Sequence, residues 1–134
     1  MKHLPTIARY LLGIILFVFG LNKFLQFLPA PEMTGAPAEF FAALFATGYM
    51  FPFIAVVEIV SGALLLSNRF VPLALVLSAP VTLNILLFHL VLDIATIPVG
   101  GLTFLLNLYL LFAYKKYYDP MLVSSSSPDS EDSE

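Results

Sequence analysis

Few side chains in this sequence can do chemistry, and most of them lie inside apolar runs. Glu58 interrupts Phe40–Asn68, a run otherwise free of charge. Asn84 and His89 lie within Phe70–Leu92, and Asn107 within Ile94–Tyr114. Lys23 stands near the end of the first apolar run. An acid at such a position can carry a proton or hold the polar head of a ligand. It can equally bond to Asn84 or Asn107 and tie helices together. Both readings stand for Glu58. His89 is a packing residue or a ligand partner, with Asp93 one helical turn on to orient its ring. Asn84 and Asn107 are interhelical bonds or ligand contacts. Lys23 either reaches to an interface or charges the outer cavity, and is a basic neighbour that would favour the ionised form of Glu58.

Other chemistries are excluded by what these residues lack. The chain has no Cys, so disulfides, thiolate metal sites and dithiol redox chemistry are absent from it. A His89–Asp93 metal site would be two ligands short of the usual four, and no metal is expected. His3 is the only other histidine and falls at the opposite end, which excludes bis-His haem. There is no Gly-rich phosphate loop, nucleophile elbow or zinc-protease helix. Nothing forms a complete catalytic set, so the chain alone is not read as a whole enzyme. No covalently bound cofactor is expected.

The elements that must position these residues are membrane helices. Of the 134 residues 60% are apolar and 11% charged, against roughly 45–50% and ~25% in soluble domains. A water-soluble domain of this size cannot bury so much apolar surface. Lipid is therefore the solvent, and nucleic acid is not a partner. A spanning helix needs about 20 mostly apolar residues. The runs give spans at about 5–28, 50–68, 71–92 and 98–118. Residues 37–47 form a short interfacial helix between the first two. The fold class is all-α, a membrane-embedded four-helix bundle. Pro5, Pro37, Pro52, Pro72 and Pro98 mark helix starts, where the missing N–H is not needed. Pro80 alone falls inside a helix and predicts a kink.

Spacing assigns faces. Arg9, Gly13, Leu16, Gly20 and Lys23 form one stripe on the first span. Glu58, Gly62, Leu65 and Arg69 form one on the second. Thr82, His89 and Asp93 share a face of the third, with Asn84 to one side. Gly100, Thr103, Asn107 and Tyr114 line the fourth. Each helix thus has one polar-and-small face to turn inward. Counting at about 1.5 Å per residue puts Glu58, Asn84 and Asn107 near mid-membrane, and they are expected to face one another. Lys23, His89 and Asp93 fall near the outer interface.

Five of the six bases (Lys2, Arg9, Arg69, Lys115, Lys116) share the side of both termini, which predicts cytoplasmic termini. The first run is too long for a cleaved leader, and Pro31 follows the one small-residue candidate, Ala30. The net charge of −3 comes from the end of the chain, where five of the nine acids lie in the last sixteen residues. Residues 119–134 are expected to be a disordered, acidic, Ser-rich tail that keeps the chain solvated.

The pattern resembles the DoxX/DoxD family of small bacterial membrane proteins. The residues that carry it are Arg9 with Leu12–Phe24 (LGIILFVFGLNKF), Val57–Leu66 (VEIVSGALLL), Val71–Leu77 (VPLALVL), Asn84 with Phe88 and His89, and Asn107. Their order covers about residues 5–118. The resemblance implies a small subunit or partner of a membrane oxidoreductase system. One branch of the family is a subunit of a thiosulfate:quinone oxidoreductase. Another joins a complex with superoxide dismutase and a sulfurtransferase. Distant eukaryotic relatives are cargo receptors or assembly chaperones. The expectation is an accessory membrane subunit of a quinone-linked oxidoreductase. Glu58, Asn84, His89, Asn107 and Lys23 would be its ligand-binding candidates, a membrane quinone its ligand, and a soluble or membrane redox protein its partner. A membrane scaffold, lipid binder or assembly module is the alternative, and a homo-oligomer fits either. Without Cys the chain cannot itself relay thiol electrons.

Overall fold

The computed structural model describes residues 1–128. It is an all-helical bundle, with no strand among those residues. In chain order α1 is Leu4–Leu25, α2 Ala36–Ala46, α3 Met50–Leu66, α4 Val71–Val91 and α5 Ile97–Ala113. A 3₁₀ turn, Ile94–Thr96, precedes α5, and two more, Lys115–Tyr117 and Asp119–Met121, follow it. Three helical segments are long and apolar enough to cross a membrane by themselves: Leu4–Leu25, Val71–Val91 and Ile94–Ala113. The fourth candidate is α2 and α3 taken together, a pair bent by 93° at the break between them.

Local sequence explains the boundaries. Proline occupies the first turn of α1, α2, α4 and α5. Helix α4 runs unbroken through Pro80. The α2–α3 bend falls at Thr47–Tyr49. There the Thr47 hydroxyl accepts the Met50 N–H at 3.0 Å, and Gly48 takes φ +77°, a conformation open to glycine at no steric cost. Helix α3 ends in a Schellman turn: Arg69 N–H bonds Leu64 C=O and Asn68 N–H bonds Leu65 C=O, with Asn68 at φ +54°. Helix α5 ends at Ala113, short of the expected residue 118, because Tyr114 leaves helical geometry and Lys115–Tyr117 tightens into a 3₁₀ turn. Residues 122–128 are exposed and carry no helix, and residues 129–134 of the expected tail lie outside the described residues.

Interior packing is divided by height. Ala8, Leu12 and Leu16 of α1, Leu65 of α3, Val71, Ala74 and Leu75 of α4 and Leu110 of α5 form the apolar core. All lie toward the end of the bundle where α1 starts and α5 stops. Of the buried polar side chains, Arg9 sits at this same end, whereas Glu58, Ser61, Ser78, Thr82, Thr103 and Asn107 lie farther along the helices. Large apolar residues such as Ile14, Val60, Leu87, Leu105 and Phe112 cover the outside, as a lipid-facing surface requires. Helix α2 buries none of its residues.

Candidate functional site at Lys23 and Glu58

The glycine stripes bring α1 and α3 together. A Cβ on Gly62 would lie 2.6 Å from the Phe17 nitrogen and 2.9 Å from the Gly13 carbonyl oxygen. A Cβ on Gly20 would lie 3.0 Å from the Glu58 Cβ. Only glycine admits so close an antiparallel approach, and it is this approach that puts Lys23 beside Glu58. The ammonium Nζ lies 2.6 Å from Glu58 Oε2, with side chains 20% and 3% exposed respectively. Helical side chains tilt toward the N-terminus of their own helix. In antiparallel helices the two tilts converge here: Lys23 leans into the bundle and Glu58 leans to meet it. Lys23 is thus an interior counter-charge rather than an interface anchor.

A second cation binds the other end of the same seam. Arg9, 5% exposed, donates to the Leu65 carbonyl in the last turn of α3. There a positive charge also meets the negative end of the helix dipole. Its guanidinium carbon sits 4.5 Å from the Tyr10 ring centroid. Arg9 and Lys23 are fourteen residues apart on α1, which separates the two fastenings by about 21 Å.

The expected meeting of Glu58 with Asn84 and Asn107 does not occur. Asn84 is exposed on the outside of α4. Asn107 is buried, but its amide donates to Ser78 Oγ at 2.9 Å and to the Leu75 carbonyl at 3.3 Å, joining α5 to α4. Equal depth did not mean a shared face. One turn below Glu58, the Ser61 hydroxyl is buried without a hydrogen-bond partner.

His89 is oriented by Asp93 through an intermediary that sequence reading missed. The Thr96 hydroxyl lies 2.6 Å from Asp93 Oδ2 and 2.8 Å from His89 Nδ1. If the hydroxyl proton goes to the carboxylate, the neutral ring carries its own proton on Nδ1 and leaves Nε2 as an acceptor. The signal was a threonine three residues after an aspartate at a helix-to-helix turn. Gly100 leaves the space for the ring, since a Cβ there would lie 2.8 Å from Nε2.

Aromatic rings gather at this end as well. Phe40 and Phe41 of α2 pack on Phe88 at centroid separations of 5.2 and 5.3 Å. Phe45 stacks on Phe51 at 4.2 Å. The Phe51 centroid is 6.0 Å from Lys23 Nζ. These phenylalanines read as ordinary core or lipid-facing residues in the sequence, because only the α2–α3 bend brings them together.

Among the described residues no group of three or more His, Asp or Glu could hold a metal ion. The site offers a proton-holding acid, an ammonium donor and apolar aromatic walls. The DoxX family model matches residues 4–91, from the start of α1 through the end of α4. Comparisons with curated proteins and with solved structures give no match.

Proposed function

We propose, for a chain that belongs to the DoxX family, the role of an accessory membrane subunit in a quinone-linked oxidoreductase system, with Lys23 and Glu58 as its polar intramembrane site. That this is a multi-pass membrane protein of a family often associated with oxidoreductase systems follows from the helices and the family match. The quinone and the partner are the proposal. The observation that carries it is the part-buried 2.6 Å Lys23–Glu58 pair beside an aromatic ring cluster. Polar groups inside a membrane are costly and mark function by default.

The donor set fits a quinone head group. The Lys23 ammonium has donors to spare for a carbonyl oxygen, and the Glu58 carboxylate can accept from a hydroxyl. Phe51 and its neighbours offer apolar surface to a flat ring. A bound quinone would supply the electron-accepting carbonyls, and a redox partner would supply the electrons, since this chain has no Cys. Lys23 orients and neutralises, Glu58 holds or releases a proton at Oε2, and the α2 aromatics exclude water. His89, with Nε2 available, is a further proton acceptor toward the same end. We place the protein in the inner membrane with both termini cytoplasmic. Lys2, Arg69, Lys115 and Lys116 support that orientation, whereas Arg9 is engaged by α3 and counts for less.

The decisive test is Glu58→Gln, which keeps shape and most bonding but removes the proton. Quinone is extracted from the purified protein and quantified by mass spectrometry, and the fold is checked by thermal melting. The proposal expects a folded variant that has lost most of its quinone. A folded variant that retains quinone like the parent refutes it. That result would favour the scaffold or assembly reading, which the fastening of α3 to α1 at two points also suits.

A further inference from the structure

A second feature lies at the opposite end of the bundle, away from Glu58. The chain after α5 folds back beside the start of α4 and leaves a groove of about 160 Å³ between them. Pro72, Leu73 and Val76 form one wall, and Tyr117, Tyr118 and Met121 the other. The Tyr118 hydroxyl donates to the Pro72 carbonyl at 2.9 Å and fixes the two walls together. Burial, with Tyr114 adding to it, holds that phenol above its ordinary pKa, so the bond keeps its proton through the physiological range. Leu73, Val76, Tyr117 and Met121 remain 40–69% exposed, so the groove opens outward.

Its surroundings are basic. The Lys116 ammonium lies 4.9 Å from the centroid of Tyr117, a groove-wall residue. Lys115 and Arg69 are exposed next to the two walls in sequence. Asp119 is the only acid among the described residues beyond α5. The N-terminus of α4 carries no side-chain cap, and its dipole presents positive charge at the same end. An apolar groove beginning where a spanning helix begins lies at the boundary between hydrocarbon and head groups. There, basic residues attract anionic lipid.

We infer that this groove holds one acyl chain of an anionic phospholipid, with the lipid phosphate drawn to Lys116, Lys115 and the start of α4. The shape selects a chain and the charge selects the head group. The inference is independent of what binds at Glu58.

The experiment is native mass spectrometry of the protein exchanged into micelles holding equal amounts of palmitoyl-oleoyl phosphatidylglycerol and phosphatidylcholine. The parent is expected to retain the anionic phosphatidylglycerol preferentially. Replacing both lysines (Lys115→Gln with Lys116→Gln) should remove that preference, by about fivefold per lysine, while a lipid of either kind still binds. Val76→Phe, at a 40% exposed position, should fill the groove and lose retention of both lipids. Met121→Trp does the same from the other wall, should Val76→Phe fail to fold. Equal retention of the two lipids by the parent overturns the inference. So does undiminished retention by a folded groove-filling variant.

Discussion

Removing Lys23 should cost more than removing the charge of Glu58, and the structure fixes the order. Glu58 is 3% exposed and Lys23 20%. In Lys23→Met the carboxylate loses its cation and cannot reach water. The other interior cation, Arg9, is about 21 Å away along α1 and holds the Leu65 carbonyl. Removing one partner of a buried pair costs about 3–5 kcal/mol, and the lower end applies here because the site is not sealed. In Glu58→Gln the ammonium keeps an amide oxygen to bond and a path to the surface. That loss should be about 1 kcal/mol, the scale of interhelical hydrogen bonds in membranes. In the double variant Lys23→Met with Glu58→Gln no charge is left, and only the cost of an unbonded buried amide remains, about 1–2 kcal/mol. The coupling between the two sites is therefore about 2–3 kcal/mol. Reversible unfolding in mixed micelles measures all four proteins. If the single losses simply add in the double variant, or Glu58→Gln costs more than Lys23→Met, the pair is not the buried contact described here.

Gly62→Ala should destabilise the bundle by about 1–3 kcal/mol in the same unfolding assay, because its Cβ would lie 2.6 Å from a backbone nitrogen of α1. Gly20→Ala should cost less, since its Cβ would lie 2.9 Å from the Ile59 side chain and 3.0 Å from the Ile59 backbone nitrogen and the Glu58 Cβ, all longer than the 2.6 Å approach at Gly62. A topology reporter fused after Glu134 should be active in the cytoplasm, and activity only outside it refutes the proposed orientation.

Periodicity made the faces legible. Of the stripe on α1, Arg9, Gly13, Leu16 and Gly20 are all buried, as are Gly100, Thr103 and Asn107 on α5. A helical repeat of 3.6 converts spacing directly into one side of a cylinder, and no long-range information is needed for that. The choice of partners was not legible. Depth counting placed Lys23 near the interface and Glu58 at mid-membrane, and offered Lys23 as a basic neighbour of Glu58 without making it the bonded partner. It measures Cα positions and omits the tilt of side chains, which here converges, and the long reach of a lysine stem. The same counting paired Glu58 with Asn84 by height alone, although Asn84 stands off the His89 stripe and faces outward. The aromatic cluster was illegible for another reason. Phe40 and Phe41 reach Phe88 only because α2 turns through 93° relative to α3, and the size of a bend cannot be read from its Thr-Gly-Tyr sequence.

The distribution of fastenings bears on where a ligand could enter. Polar contacts tie α1 to α3 through Arg9 and Lys23 and α4 to α5 through Asn107, and Gly100 of α5 leaves space for the His89 ring of α4. One end of the bundle is filled by Leu12, Leu16, Leu65, Leu75 and Leu110, each at most 1% exposed. Close packing of that kind leaves no route inward. The other end holds Lys23, His89 and a layer of phenylalanines on a helix that buries none of its own residues. A helix with so little buried surface can separate from the bundle at small cost in apolar area. Under the proposed function a ligand at Glu58 would enter by displacing α2, and the aromatic contacts of Phe40 and Phe41 with Phe88 are the ones it would break.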